Sequence, residues 1–249
     1  MTSEVDIANM ALQAMGTRST ISDFSEQSNE AYNVNMLYAR ARDSLMTQAF
    51  WNFTRATRAL SVLKAWPGTP ENPSVTGATA WSSDWPPPPW LYEYAYPADC
   101  LRARYVVPQQ YYDTMPNPPL TSAPGVVNWY SFTGTPVKFV VASDTISETV
   151  QNVILTNQPQ AILVYIRRVT NPDLWQPNFV DALVYNLAAR LTIPLKGDRN
   201  LMADNYKLSA QYVQEAQLMD ANEGLASTES MPDWMQIRGI GSSWEGYNV

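Results

Sequence analysis

The 249-residue sequence contains no histidine and a single cysteine. Histidine is the side chain most used for acid–base catalysis near neutral pH. Its absence excludes a Ser-His-Asp triad, a Cys-His pair and histidine-ligated zinc within this chain. The lone Cys100 excludes an internal disulfide and a cysteine-rich metal site. Because Cys100 lies beside apolar sequence, we expect a buried and inert thiol rather than a nucleophile.

Basic residues and long apolar runs are also scarce. The chain has 16 Lys and Arg against 23 Asp and Glu, which gives a net charge of −7. The basic residues form no dense run, so tight binding to nucleic acid is not expected. The longest apolar runs are too short to span a bilayer, and no secretory signal opens the chain. We therefore expect a soluble protein. Its acidic charge is compatible with a surface that DNA slides past without sticking, although acidic proteins of other kinds are common.

Sequence motifs of enzymes are missing as well. Gly239-Ile240-Gly241 is an isolated Gly-x-Gly without the third glycine, the strand or the helix of a dinucleotide site. Carboxylate pairs exist, but a glycosidase needs two of them across a sugar cleft, at a spacing that the sequence does not show. Trp and Tyr suit stacking on sugars, so a glycan hydrolase or a carbohydrate-binding protein remains the alternative. The sequence predicts no catalytic residue, no metal and no cofactor.

The residues that are present have an uneven layout along the chain. Fourteen of the 19 prolines lie between Pro67 and Pro136, in a stretch that also contains β-like segments and many tryptophans. Helical periodicity flanks this stretch on both sides. This layout predicts an α+β fold, in which an antiparallel helical bundle from both chain ends carries an inserted β-rich domain and an extended C-terminal arm. The predicted boundaries are 1–52 for the first half of the bundle, 53–170 for the β-rich domain, 171–224 for the second half of the bundle, and 225–249 for the arm.

Apolar residues at helical spacing predict two helices before the β-rich region. The first covers residues 3–15, and Ser3 opens a capping box at its start. The second runs from about 26 to 49, after a cap formed by Asp23 or Ser25. These two helices supply the first half of the predicted bundle.

Two further helices follow the β-rich region. The third opens after Asn171-Pro172, carries leucines at four-residue intervals on a wide apolar face, and is predicted to end at Pro194. Asp198 caps the fourth helix, which is predicted to stop near Gly224. The wide apolar face puts the third helix at the centre of the bundle.

Strands are predicted between these helices, where β-branched and aromatic residues cluster. The segments are 53–64, 90–96, 101–107, 137–141, 152–155 and 161–169. Residues 157–160 contain a proline and polar residues, so they predict a hairpin turn between the last two strands.

Tryptophans stand out in the proline-rich loop 66–90. Disordered linkers are poor in aromatics, so we expect this loop to pack on its own domain or on a neighbouring subunit. Trp81, Trp85 and Trp90 are the candidate residues for a contact with another subunit or with a further protein of the same assembly.

Acidic residues crowd the second half of the last helix. Glu215, Asp220 and Glu223 oppose the helix dipole there, at a cost of about 0.3–1 kcal/mol each near the end. They form either a solvated face or a surface that meets a basic partner or lines an acidic channel.

The C-terminal segment 225–249 lacks periodicity but contains many large apolar residues. Such residues suit an arm that becomes ordered by inserting anchors into pockets of another subunit, although the segment can also fold back on its own domain. The candidate anchors are Met231, Trp234, Met235, Ile237, Ile240, Trp244 and Tyr247.

Four local segments, in this order and spacing, resemble a known family. They are Ile7-Ala8-Asn9-Met10-Ala11-Leu12 followed by Gly16, then Ala49-Phe50-Trp51-Asn52-Phe53, then Tyr94-Ala95-Tyr96-Pro97-Ala98-Asp99-Cys100-Leu101-Arg102, and Val180-Asp181-Ala182-Leu183-Val184-Tyr185-Asn186-Leu187-Ala188-Ala189-Arg190-Leu191 leading to Pro194-Leu195. Over roughly residues 4–223 the pattern resembles the tail tubular protein A family, the head-to-tail adaptors of short-tailed bacteriophages.

The resemblance implies a structural protein of the virion, located at the head-tail junction after assembly in the host cytoplasm. Members form a ring, usually dodecameric, that connects the portal protein to the tail nozzle, a tail tubular B-like protein. The resemblance implies that the helical part and the C-terminal arm dock on the portal, while the β part faces the nozzle. The ring continues the channel for DNA ejection, through which genome DNA passes without specific binding, and no membrane is involved. Closing such a ring requires two different patches on each copy.

Overall fold

The structure is a computed structural model that describes residues 3–73, 81–108, 137–146 and 148–223. Within these ranges the fold is α+β, with four α-helices and two antiparallel sheets. The helices are α1 (Glu4–Ala14), α2 (Asn29–Gln48), α3 (Pro177–Lys196) and α4 (Arg199–Glu223). The strands are β1 (Arg55–Ala59), β2 (Val62–Ala65), β3 (Tyr92–Ala95), β4 (Cys100–Pro108), β5 (Phe139–Ile146), β6 (Thr149–Thr156) and β7 (Ala161–Arg167). None of the described helices combines the length and hydropathy that a bilayer-spanning segment requires.

The four helices share one hydrophobic core, and α3 lies against each of the other three. Phe179, Leu183 and Leu187 of α3 are completely buried, which agrees with the wide apolar face read from the sequence. Trp51, which follows α2, packs edge-on against Phe179 with 5.4 Å between ring centroids. Burying each of these side chains contributes about 1.5–3 kcal/mol, so residues from both chain ends stabilise the same core.

The second helix begins later than predicted. It starts at Asn29, where the Ala31 amide donates to the hydroxyl of Ser28 at 3.2 Å, so Ser28 is the cap. Asp23 and Ser25, the predicted caps, are bonded to each other instead, because the Ser25 amide donates to the Asp23 carboxylate at 2.7 Å. Local side-chain bonds of this kind compete with helix formation, which explains the later start.

The prediction that Pro194 ends the third helix is wrong. Pro194 lies inside α3, which continues to Lys196 and is capped by Gly197, whose φ of 69° is left-handed. A proline close to the C-terminal end removes one intrahelical hydrogen bond, and the left-handed glycine cap satisfies the last carbonyls. The predicted cap of the next helix is confirmed, since the amides of Asn200 and Leu201 donate to the Asp198 carboxylate at 2.9 and 3.2 Å.

The strand order does not follow the order of the strands along the chain. One sheet has the order β1-β7-β4 and the other β2-β3-β6-β5. The predicted hairpin at residues 157–160 is therefore wrong, because β6 and β7 lie in different sheets and this segment crosses between them. The predicted strand 53–64 likewise divides into β1 and β2, which also belong to different sheets.

Burial explains why β7 does not pair with β6. Residues 161–166 are all buried, so β7 has no solvent-facing side and takes the central place in its sheet. Leu163 and Tyr165 pack inward with Tyr92 and Tyr94 of the other sheet. The opposite face of β7 packs on Phe50, next to the end of α2. The inner face of the β2-β3-β6-β5 sheet is thus used by the core, which leaves its outer face for other contacts.

Candidate functional site

A cleft of about 540 Å³ lies between the outer face of the β2-β3-β6-β5 sheet and the segment 81–87. We call it the outer cleft. Its polar and aromatic lining includes Lys64, Glu93 and Asp144 from the sheet, with Trp81 and Trp85 from the segment above it. It therefore brings two tryptophans of the proline-rich loop next to charged groups of three strands.

Strand register places the charged residues on one face. Lys64 of β2 is the register partner of Glu93, and Glu93 is the partner of Leu155 on β6. Leu155 is opposite Val140 of β5, and Asp144 lies four residues after Val140 on the same strand. Because side chains alternate between the two faces of a strand, Asp144 shares the face of Glu93 and Lys64.

Lys64 and the two carboxyl groups form one electrostatic cluster. The Lys64 ammonium is ion-paired with Asp144, and this hydrogen bond holds the pKa of Asp144 below its usual range. Glu93 is only 1% exposed. Its burial raises the pKa of Glu93 to about 7, and the neighbouring Asp144 carboxylate adds to the effect while Lys64 opposes it. Near neutral pH Asp144 is therefore ionised, whereas Glu93 is a mixture of its protonated and ionised forms.

One oxygen of Glu93 lacks a partner among the residues that the structure describes. Its Oε1 is buried and accepts no hydrogen bond from any of them. An unsatisfied buried acceptor costs about 1–3 kcal/mol, more if it is charged. Since Glu93 lines the outer cleft, a donor group that reaches this buried oxygen from the cleft would satisfy it.

The three tryptophans singled out in the sequence have different environments. Trp81 is 53% exposed, and its indole N–H donates to the carbonyl of Pro86 at 3.1 Å. Trp85 packs against Trp66, another residue of the same loop, with 5.5 Å between centroids. Packing of the loop on its own domain or on a neighbouring subunit stays a prediction. Trp90 does not line the cleft; the Lys138 ammonium lies 5.8 Å from its ring centroid.

Burial removes Asp220 from the predicted acidic face. Asp220 is 7% exposed. Its carboxylate accepts from the backbone N–H of Asn52 at 3.0 and 3.1 Å and from the side-chain amide of Gln176 at 2.9 Å. It follows the buried Val213 and Ala216 at helical spacing, which explains its inward position.

The other two members of that predicted face differ from Asp220. Glu215 is exposed, so it remains a candidate for a partner contact. The side chain of Glu223 lies outside the described residues. The same holds for all the predicted arm anchors, namely Met231, Trp234, Met235, Ile237, Ile240, Trp244 and Tyr247.

Sequence reasoning missed Lys64, Glu93 and Asp144. A weak signal was present, because Glu93 is the one acidic residue in an otherwise apolar strand, between two tyrosines. Burial raises the pKa of the Cys100 thiol, as expected for an unreactive side chain. Within the described ranges, no group of three or more potential ligand residues is arranged to hold a metal ion.

Comparison with known proteins adds no relative. No protein-family model matches this chain, and a search of curated proteins finds no match either.

Proposed function

We propose that this protein is a structural head-to-tail adaptor of a bacteriophage virion. In this proposal, twelve copies form a ring that joins the portal to the tail nozzle and continues the DNA channel. The observation that carries it is that helices from both chain ends share one core, while most of the strands between them pack around a second cluster. The segments that resemble tail tubular protein A contribute to this organisation, because residues 7–12 and 180–191 supply much of the buried face of α1 and α3.

We further propose that the four helices form an antiparallel bundle. Only Gly197 and Asp198 separate α3 from α4, and so short a connection suits an antiparallel helical hairpin. Asp220 near the end of α4 bonds to Asn52, which follows α2. These contacts support a bundle in which the two chain ends are held together.

Two exposed apolar patches provide candidate surfaces for ring closure. Tyr32 and Met36 lie one turn apart on α2 and are 64% and 59% exposed. Leu218 and Met219 on α4 are 70% and 53% exposed. A ring requires two different patches that meet around the circle, and we propose that the α2 patch of one copy contacts the α4 patch of the next.

The arm at residues 225–249 is proposed to dock on the portal, and the β module is proposed to face the tail nozzle. The net charge of −7 supports passage of DNA through the ring, because like charges keep the DNA from sticking. Neither a catalytic group nor a membrane contact is required for this role.

Imaging the protein together with the portal protein of the same virus tests the adaptor role. Negative-stain electron microscopy of the full chain with the portal is expected to show a ring that caps the portal. Deleting residues 226–249 is expected to leave a protein with an unchanged circular-dichroism spectrum that no longer binds the portal. Full binding by the folded, truncated chain refutes the role of the arm. Absence of any association between the folded full-length chain and an intact portal refutes the adaptor role.

The proposed ring contact has its own test. Replacing Tyr32 and Met36 together by serine is expected to reduce the number of copies bound per portal, as counted by mass photometry. The control is Leu174→Ser, since Leu174 is also a large apolar residue, 54% exposed, but lies in neither patch. Equal occupancy of the portal by both variants rules out the α2 patch as a ring contact.

Glycan hydrolysis is the alternative function, and the outer cleft with its tryptophans and carboxylates is the observation that favours it. Glycosidases place their two carboxyl groups about 5–9.5 Å apart. Both groups must also be available to react, whereas the Asp144 carboxylate is ion-paired with Lys64. The adaptor role therefore has the better support. If the protein releases sugar from a glycan and the Glu93→Gln variant does not, glycan hydrolysis has better support than the adaptor role.

A further inference from the structure

We infer that the outer cleft is a binding site for a guanidinium group, supplied by an arginine side chain or by a small free guanidinium compound. The inference concerns the isolated chain and does not depend on ring assembly. It rests on the charge of the cleft, on the unpartnered oxygen of Glu93, and on the exposed ring of Trp81.

The charges that line the cleft are unequal in sign. Asp84, Glu93 and Asp144 contribute three carboxyl groups, and Lys64 contributes one ammonium. Lys64 is already paired with Asp144, so it only partly offsets the negative charge. A cleft of this kind favours a cationic ligand over a neutral or anionic one.

The unpartnered oxygen of Glu93 favours a ligand that carries a hydrogen-bond donor. Its side chain is 1% exposed, and no residue that the structure describes donates to Oε1. In such a low-dielectric position, a charged donor forms a stronger hydrogen bond than a neutral one. A ligand that brings both a positive charge and an N–H group therefore satisfies Glu93 better than a sugar hydroxyl does.

The tryptophans distinguish guanidinium from other cations. Trp81 is 53% exposed and lines the same cleft, so part of its ring is open to a ligand. A planar guanidinium stacks on an aromatic ring and still directs N–H groups sideways to a carboxylate, which a compact ammonium does less well. A divalent metal ion is disfavoured, because the described residues contain no group of three or more side chains arranged to hold one.

Binding is expected to depend on pH through Glu93. The charged groups that act on it are Lys64 of β2 and Asp144 of β5, and Asp84 lines the same cleft. A cation stabilises the ionised form of Glu93, whose pKa is raised to about 7 in the free protein. Affinity should therefore rise between pH 6 and pH 8, by roughly tenfold if Glu93 alone titrates.

The test is isothermal titration calorimetry on the full-length chain. Agmatine represents a free guanidinium compound, and a Gly/Ser peptide with one arginine represents a protein side chain. The same peptide with lysine instead of arginine and the neutral oligosaccharide maltohexaose are the competing ligands. Glu93→Gln and Trp81→Ala are each expected to weaken guanidinium binding about tenfold.

Glu148→Gln is the matched control for the loss of one negative charge. Glu148 is exposed in the turn between β5 and β6 and does not line the cleft, so its replacement should leave affinity almost unchanged. Circular dichroism and thermal melting show whether each variant is folded. If Glu93→Gln does not fold, Trp81→Ala decides the test, because replacing an exposed side chain should preserve the fold.

Binding of the arginine peptide much tighter than agmatine supports a partner protein as the source of the group, and similar affinities support a free compound. Absence of guanidinium binding at ~10 mM, or binding that neither substitution weakens, overturns the inference. Binding of maltohexaose that is lost in Trp81→Ala, without guanidinium binding, also overturns it and assigns the cleft to carbohydrate.

Discussion

Replacing Asp220 by alanine should destabilise the helical core, although the residue lies near the end of a helix. Its carboxylate accepts from the backbone N–H of Asn52 at 3.0 and 3.1 Å and from the side-chain amide of Gln176 at 2.9 Å. Asn52 follows α2 and Gln176 precedes α3. One carboxylate thus joins three segments that are far apart in the sequence.

The magnitude follows from these hydrogen bonds. A hydrogen bond to a charged group contributes about 1.5–3 kcal/mol, and alanine leaves the two donors without this acceptor. Partial rehydration offsets some of the loss, so we expect the free energy of unfolding to fall by about 3 kcal/mol. The melting temperature of a chain of this size should fall by roughly 6–10 °C. Asp220→Asn keeps an acceptor oxygen without the charge and should lose only about 1 kcal/mol.

Urea unfolding followed by circular dichroism at 222 nm measures this effect, because that signal is dominated by the helices. Glu215→Ala is the matched control, since Glu215 is an exposed acid on the same helix and should change stability by less than about 0.5 kcal/mol. Equal urea midpoints for Asp220→Ala and Glu215→Ala would refute the reasoning. Asp220 would then belong to the acidic surface that the sequence suggested.

Two further predictions concern the core and the cleft. Leu183→Ala should lower the free energy of unfolding by about 3 kcal/mol in urea titrations, because Leu183 is completely buried in α3; Leu218→Ala, at an exposed position, should change it by less than about 0.5 kcal/mol. Folding raises the pKa of Glu93 from 4.5 to about 7, so the native state binds this proton more tightly and stability falls as pH rises through that interval. Glu93→Gln removes this loss, so at pH 8 the variant should be more stable than the wild type by up to about 2–3 kcal/mol. The difference should vanish below pH ~4.5. A wild type that is more stable than the variant at pH 8 contradicts a raised pKa of Glu93.

Periodicity predicted the helices well, because amphipathic spacing and caps are local properties. The capping box at Ser3 is present, with the Asp6 amide donating to the Ser3 hydroxyl at 3.1 Å. The start of α2 was missed because Asp23 and Ser25 bond to each other, and a choice among neighbouring polar residues depends on side-chain geometry.

Strand pairing and the cleft were harder to predict. The apolar run 161–166 showed a strand but not that both of its faces are covered, which is what separates β7 from β6. Glu93 and Asp144 meet only through the register of three strands, so no local pattern reports their contact. Asp220 was misjudged because charge alone does not show which side of a helix is buried.

The shared core of the two chain ends has a consequence for biosynthesis. The ribosome releases α1 and α2 first, whereas α3, on which both helices pack, follows only after the seven strands that the structure describes. Until α3 emerges, the apolar stripes of the first two helices remain exposed, and such surfaces are prone to aggregate. The pairing of segments so distant in sequence also slows folding. The nascent chain should therefore depend on chaperones over its N-terminal helices until the last third of its sequence has been translated.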